Sequence, residues 1–201
     1  MKWTETRYEN MVSMTHGRAQ VQHVEMGLKR DGTITALRAK VYQDSGAYPS
    51  IGAFLVFFTR QLAQGVYSIP KVQLNAESAA TNTTTTAAYR GAGRPEATAM
   101  LERIIDIAAD ELDIDPVEIR RRNLIPPEAF PLTTVTGANY DVGEYAKALD
   151  EVRLIAGYDA LRAAQPERRA SGAVQQNGIG VSTHVGVTAG GLVEEYLYPH
   201  H

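Results

Sequence analysis

The sequence contains no cysteine among its 201 residues. This excludes disulfide bonds, thiolate catalysis, and zinc or iron–sulfur centres held by cysteines of this chain. No uninterrupted apolar run approaches the roughly 18 residues that a membrane helix needs, and the N-terminus lacks the apolar core of a signal peptide. We therefore expect a cytoplasmic protein without a membrane partner.

The sequence also has no excess of positive charge, since 20 basic residues face 23 acidic ones for a net charge of −3. A nucleic-acid-binding chain is typically basic on at least one face, so we expect no nucleic-acid partner. Hydrophobic residues make up 44% of the chain. A chain of this length and composition can bury a substantial core.

Alternating apolar and polar residues predict the strands. Residues 19–48 contain two such segments separated by an Asp-Gly turn at 31–32, which predicts an antiparallel hairpin. Residues 72–79 predict a further strand, and 178–187 another.

Helical periodicity predicts the remaining elements. Apolar residues from 97 to 112 share one helical face, which predicts a helix packed on a sheet. A second helix is expected after Asp115 as N-cap, with Glu118 placed for a capping box, and further helices within 141–155 and 158–164. The prediction is an α+β fold, with an antiparallel or mixed sheet and packed helices.

Two charged segments are predicted to lie on the protein surface. Arg120, Arg121 and Arg122 fall near a predicted helix C-terminus, where positive charge is favourable, so we interpret them as a solvated face. The charged residues 165–171 predict a surface loop.

The most informative segment is 83–97, in which a threonine run ends in Arg90-Gly91-Ala92-Gly93-Arg94 and a helix opens at Pro95. The two glycines permit backbone angles that other residues resist, and proline suits a first helical turn. The helix N-terminus and the two arginines could hold an anion such as a phosphate. However, the third glycine of a dinucleotide fingerprint and the Gly-Lys-Ser/Thr of a phosphate loop are both missing. An ordinary strand-to-helix turn with solvated arginines is therefore equally open.

Four segments resemble, in order, those of one protein family. Residues 86–97 resemble the active-site loop of the large, molybdenum-binding subunit of the xanthine dehydrogenase, aldehyde oxidase and carbon monoxide dehydrogenase family. Residues 2–11 resemble its Thr-Arg-x-Glu-(Asn/Asp)-Met segment, 65–72 its Tyr-x-Ile-Pro-x-Val strand, and 120–124 its Arg-x-x-Asn-(Leu/Met) helix end. On these segments the chain is identified as a member of this molybdenum hydroxylase family.

The resemblance implies a cofactor and a reaction. Family members hold molybdenum through a pyranopterin dithiolene, commonly the molybdopterin cytosine dinucleotide in bacteria, and insert water-derived oxygen into an aldehyde, an N-heterocycle or a related small molecule. It implies that Arg90, Gly91, Ala92 and Gly93 lie beside the cofactor. Because the cofactor's sulfurs bind the metal, no side chain of this chain is expected as a metal ligand.

The resemblance also bears on the substrate. Ala92 stands where purine-oxidising members have a phenylalanine that stacks on substrate, and Arg60 lies in a region where xanthine-oxidising members have a substrate-contacting arginine, although its spacing is shorter here. Gly91 stands where the best-known carbon monoxide oxidisers have a cysteine that joins the metal to copper. Carbon monoxide oxidation is accordingly disfavoured.

Other parts of the family's large subunit are expected outside this chain. Its glycine-phenylalanine-glycine cofactor loop precedes the matched segments and its general-base glutamate follows them, so no catalytic residue is assigned here. We expect residues 1–189 to be part of a molybdopterin-binding domain and 190–201 to be an unassigned tail. As an internal fragment, the isolated chain would lack cofactor and activity. Its expected partners are the rest of the large subunit, the iron–sulfur and FAD subunits and a small-molecule substrate.

Two alternatives stay open from the sequence. The chain could be a non-catalytic binding or assembly module that has kept the glycine loop, or a folding fragment with no ligand at all.

Overall fold

The computed structural model describes residues 1–186. Three strands form one sheet and two short strands form a separate ribbon, with helices between and after them. The strands are β1 Gln20–Leu28, β2 Ile34–Asp44, β3 Val72–Ala79, β4 Leu132–Thr133 and β5 Asn139–Tyr140. The helices are α1 Arg7–Ser13, α2 Leu55–Gln61, α3 Arg94–Leu112, α4 Pro116–Asn123, α5 Tyr145–Ile155 and α6 Tyr158–Ala170, and short 3-10 turns span Ile51–Phe54 and Pro127–Ala129. The predicted tail at 190–201 lies outside the described residues.

The predicted hairpin and the α+β fold class are confirmed. β1 pairs with β2 antiparallel and β2 pairs with β3 parallel, which makes a mixed sheet in the order β1-β2-β3. Neighbouring residues Val24, Ala39 and Leu74 share one face, and Val56 of α2 and Met100 of α3 cover it. The opposite face carries exposed ion pairs, so the sheet and its helices form two layers.

Two of the predicted elements are wrong. Residues 165–170 extend α6 instead of forming a loop. Residues 178–186 alternate between exposed and partly buried positions, as a strand would, but pair with no strand within the described part of the chain. A strand requires a hydrogen-bonded neighbour, which a local pattern cannot supply.

The interpretation of Arg120 as part of a solvated face is also wrong. Arg121 and Arg122 are exposed, but the Arg120 side chain has no exposed surface. Its Nε donates to Glu102 Oε2 at 2.8 Å and its Nη2 to Asp106 Oδ1 at 2.7 Å, both on α3. A buried guanidinium is tolerable only when charge and hydrogen bonds compensate its lost hydration. The ion pairs of Arg120 with Glu102 and Asp106 therefore hold α4 against α3.

Tyr67 extends this buried network. Its hydroxyl donates to Glu102 Oε1 at 2.5 Å and lies 2.6 Å from the Thr183 hydroxyl. Burial, with the Glu102 carboxylate adding to it, raises the pKa of Tyr67 well above its ordinary value. The phenol is thus a neutral donor that joins the core to the 178–186 segment.

Asn123 fixes the hairpin turn against the end of α4. Its Nδ2 donates to the carbonyls of Gly32 and Ile119, and its Oδ1 accepts from the Ile34 amide at 2.8 Å. Asp115 caps α4 as predicted, accepting from Val117 and Glu118. The Glu118 carboxylate pairs with Arg122 and is not part of a capping box.

Gly93 sets the distance between α2 and α3. It has φ = 83°, and a Cβ there would lie 2.6 Å from Phe58 Cβ and 2.7 Å from both Leu55 O and Thr59 N. Most of these neighbours are backbone atoms, which cannot rotate away. Only glycine allows α3 to start this close to α2.

A search for a helix among residues 1–186 that is long and apolar enough to cross a membrane finds none.

We predict that Arg120→Met destabilises the protein by about 3–5 kcal/mol, because Glu102 is left as a buried, uncompensated charge. Arg121→Met is the matched control, since the neighbouring arginine forms an exposed ion pair with Asp150 and should change stability little. Urea unfolding monitored by circular dichroism measures both. Equal midpoints for the two variants would contradict the structural role given to Arg120.

We also predict that Gly93→Ala destabilises more than Gly137→Ala. Both glycines have positive φ, 83° and 88°, but a Cβ at Gly137 meets no atom within 4 Å. Gly137→Ala should therefore cost only the left-handed backbone strain of about 1–2 kcal/mol, whereas Gly93→Ala should add a packing clash of about 1–3 kcal/mol. The same urea unfolding assay measures both variants. If both lose the same free energy of unfolding, α2 and α3 can move apart freely.

Candidate functional site

The predicted glycine turn is a surface turn at the N-terminus of α3. Gly91, Ala92 and Gly93 have successive positive φ angles of 97°, 35° and 83°. The Ala92 amide donates to Tyr89 O at 2.8 Å and the Arg94 amide to Gly91 O at 3.1 Å. A non-glycine residue such as Ala92 rarely adopts this region, so surrounding contacts must hold the turn.

The threonine run before the turn is anchored to the end of β2. Asp44 accepts hydrogen bonds from the Thr81 and Thr83 hydroxyls and from the Gly46 amide. These bonds lower the pKa of Asp44, which is therefore ionised at neutral pH. Thr86, at the end of the run, forms an isolated parallel β-bridge with His16.

The buried face of the sheet becomes polar beneath the turn. Gln20 donates to Gln43 Oε1 at 2.8 Å and to Thr59 Oγ1 at 2.9 Å, and Gln22 donates to Glu96 O at 3.2 Å. These contacts join β1, β2, α2 and the first turn of α3. The glutamines alternate along their strands like core residues, but their amide partners come from distant segments, so the sequence did not identify them.

Arg18 also contacts the turn and was not predicted. Its Nη1 lies 3.0 Å from Glu96 Oε2, its Nη2 donates to the Arg90 carbonyl, and its guanidinium carbon lies 5.1 Å from the centre of the Tyr89 ring. These partners are 71 or more positions further along the chain. No local signal pointed to them.

The charges around the turn are largely compensated within the protein. Glu96 is only 7% exposed and lies in the first turn of α3, where a carboxylate is favourable. Arg94 folds back so that its Nη1 donates to Gly91 O at 3.2 Å. Arg90 is exposed. The structure thus brings Arg90, Gly91, Ala92 and Gly93 together, with the Arg90 side chain as the cation that faces solvent.

Arg60 lies on α2, directly after Thr59, whose backbone packs against Gly93. Arg60, Phe54 and Phe57 are all exposed. The helix buries its Leu55, Val56 and Thr59 face, which leaves the guanidinium in solvent.

The cavities do not coincide with the turn. A crevice beside Arg94, Thr98 and His184 measures only about 10 Å³. A largely apolar cavity of about 390 Å³ lies between α4, α5, α6 and residues 179–184, and none of residues 89–94 lines it. As far as residues 1–186 show, a ligand at Gly91 and Ala92 would therefore rest on a surface and in neither of these two cavities.

The turn is compatible with a large cofactor that brings its own metal donors. Residues 91–93 carry no side chain larger than a methyl group. Gly93 is buried against α2, whereas Gly91 and Ala92 are half-buried, so a bulky group can approach the backbone only at these two residues. No group of three or more histidine, cysteine, aspartate or glutamate residues that could hold a metal occurs within 1–186. Direct coordination by such a cluster is thus not offered by the described residues.

Comparison with known proteins identifies the family. The sequence model of the molybdopterin cofactor-binding domain matches residues 1–124. The carbon monoxide dehydrogenase large chain of Hydrogenophaga pseudoflava is 35% identical over 95% of this chain and 24% of its own length. The nicotine 6-hydroxylase large subunit of Paenarthrobacter nicotinovorans is 32% identical over 92% of this chain and 23% of its own.

A solved structure agrees with the sequence matches. Quinoline 2-oxidoreductase from Pseudomonas putida 86 superimposes with a TM-score of 0.78 at 33% identity, over 85% of this chain and 22% of that one. The chain spans about a quarter of the length of the curated relatives it matches. It belongs to the molybdopterin cofactor-binding domain family, as found in the large subunits of molybdenum hydroxylases.

Proposed function

We propose that this chain forms part of the large subunit of a molybdenum hydroxylase, which oxidises an aldehyde, an N-heterocycle or a related small molecule with oxygen from water. The observation that carries the proposal is the Gly91-Ala92-Gly93 turn. It holds Ala92 at a positive φ, its side chains are minimal, and it lies in the segment that the family model matches.

In this proposal the turn is the surface on which the cofactor rests. When bound, a molybdenum pyranopterin supplies the two-electron oxidation and the activated oxygen. The backbone of residues 90–93 would lie against it, and exposed Arg90 would offer a cation to an anionic or oxo group. The absence of bulk at half-buried Gly91 would permit contact with the backbone itself.

The side chains of the turn also bear on the substrate. Ala92 offers a methyl group and no ring, so a substrate would not be stacked there as in the purine-oxidising members. Gly91 offers no thiolate to a second metal, which supports a hydroxylase in place of a carbon monoxide oxidiser. The nicotine and quinoline enzymes among the similar proteins support the N-heterocycle class. A contact of Arg60 with substrate is part of the proposal, since Arg60 lies on the helix that packs against Gly93.

The wider assembly is proposed by analogy. The cofactor would be the cytosine dinucleotide form, the electron acceptors would be iron–sulfur and FAD subunits, and the complex would be cytoplasmic. Relatives named as a large chain and a large subunit support a multi-subunit enzyme. The general base would come from the remainder of the large subunit, so the 201-residue chain alone would be inactive and free of cofactor.

One observation favours the alternative of a non-catalytic binding or assembly module. Glu96 and Arg18 form an ion pair at the positive end of α3, and Arg94 donates to the turn's own carbonyl. A turn satisfied in this way needs no anion to be stable. Measuring the molybdenum content of the purified protein distinguishes the hydroxylase from the non-catalytic module.

We predict that the full-length gene product, purified after growth on molybdate, contains about one molybdenum per large subunit and releases a cytosine nucleotide on denaturation. Gly91→Val should abolish both, because Gly91 has φ = 97° and its Cβ would lie 2.8 Å from the Pro95 ring. Arg90→Ala should lower the molybdenum content, because it removes the exposed cation. Elemental analysis and chromatography of the released nucleotide measure these results.

Arg38→Ala is the matched control, since this arginine forms an exposed ion pair with Glu25 on the solvent face of the sheet. It should keep the full molybdenum content. A folded, full-length protein without molybdenum would refute the proposal and leave the turn as a partner surface.

A further inference from the structure

We infer that Arg18 is a positioning residue, which holds the Tyr89–Arg94 turn in the conformation that faces the cofactor. The inference rests on the proposed function for its final step. Its structural step, that one side chain fixes the turn, stands on the contacts of Arg18 alone.

The first step is how Arg18 reaches the turn. The segment before it pairs with the threonine run, since the His16 amide donates to Thr85 O and the Ala87 amide donates to His16 O. Gly17 follows at a place where a Cβ would lie 2.9 Å from Tyr89 Cβ. The backbone of this segment therefore lies directly against the turn, and the next side chain extends over it.

The second step is that Arg18 contacts two residues of the turn and one residue of α3 directly after it. One end of its guanidinium bonds the Arg90 carbonyl, the other pairs with Glu96 on α3, and its plane lies by the Tyr89 ring. The fork of an arginine can serve two acceptors in fixed directions, which a lysine cannot. The residues before and after the glycines are thus tied to one rigid group.

The third step is strain. Arg18 itself has φ = 67°, in the left-handed region that side-chain-bearing residues rarely adopt. Ala92, in the turn, shares this feature at φ = 35°. Two strained non-glycine residues on facing segments persist only when the contacts between them offset the strain. The guanidinium supplies such contacts.

The consequence concerns the cofactor surface. Gly91 and Gly93 have no side chains to hold them, so the turn could adopt other backbone conformations if its ends were released. With its ends held by Arg18, the turn would be preorganised before the cofactor arrives.

The test uses the full-length protein and two readouts, amide hydrogen exchange of peptides covering residues 86–97 and molybdenum content. Exchange is informative because the Ala92 amide donates to Tyr89 O and the Arg94 amide donates to Gly91 O, both within the turn. We expect Arg18→Met to speed exchange there by at least roughly tenfold, as expected for loss of a charge-assisted hydrogen bond, and to lower the molybdenum content. Arg18→Lys, with one donor group, should give an intermediate rate.

Arg18→Met also leaves Glu96 buried without its ion-pair partner, which could unfold the protein. The double variant Arg18→Met/Glu96→Gln removes that charge, so it should fold and still show fast exchange in the turn. Arg38→Met is the control for loss of an arginine ion pair, here on β2, and should leave exchange at 86–97 unchanged.

The outcomes separate this inference from the proposed function. Wild-type exchange in the double variant would overturn the positioning role of Arg18, whether or not the protein contains molybdenum. Fast exchange with an unchanged molybdenum content would overturn the link between the turn's conformation and the cofactor. A wild-type protein without molybdenum would refute the proposed function, while the exchange data would still decide whether Arg18 holds the turn.

Discussion

The buried ion pair between Arg120 and Glu102 is the interaction on which the rest of the structure depends. A guanidinium without exposed surface loses several kcal/mol of hydration, and only well-placed partners compensate for it. Here Glu102, Asp106 and the Pro116 carbonyl all accept from it, and Tyr67 satisfies the second oxygen of Glu102. Because these partners come from different segments, the network tolerates one arrangement of α3, α4 and the chain before β3. Removal of one partner would leave the other charge buried and uncompensated, so the network restricts how these segments can pack.

That arrangement also determines where the glycine turn lies. α3 runs from Arg94 to Leu112 as one helix, fastened near its middle by Glu102 and Asp106 and at its first turn by the Glu96–Arg18 pair. Gly93 brings its start against α2. A backbone site needs this kind of support, because glycines have no side chains with which to fix their own position. The conformation of the turn is thus fixed by residues that need not contact a ligand.

The motifs that reveal the family have structural roles as well as functional ones. Tyr67 and Ile69 of the Tyr-x-Ile-Pro segment are buried in the core, Arg120 forms the central ion pair, and Asn123 ties α4 to the hairpin turn. The Arg90–Gly93 segment is the one that we propose faces a ligand. This division explains how relatives named for carbon monoxide, nicotine and quinoline can share the fold. The buried motif residues maintain the scaffold, and a shared fold does not by itself determine the substrate.

The sequence by itself determined the elements whose signals are local. Alternation around the Asp31-Gly32 turn predicted the hairpin, helical periodicity predicted α3, the Asp115-Pro116 pair predicted the start of α4, and the two glycines predicted the unusual backbone of the turn. In each case the physical cause lies within a few residues.

Tertiary structure decided everything that depended on a distant partner. Arg120 resembled a solvated arginine because Glu102 and Asp106 lie 18 and 14 positions away on another helix, and Arg18 carried no signal because its partners are at least 71 positions further along. Residues 178–186 alternate between exposed and partly buried positions as a strand does, but they pair with no strand in the described part of the chain. Burial of a charge and pairing of a strand are properties of two segments together, so neither can be deduced from one of them alone.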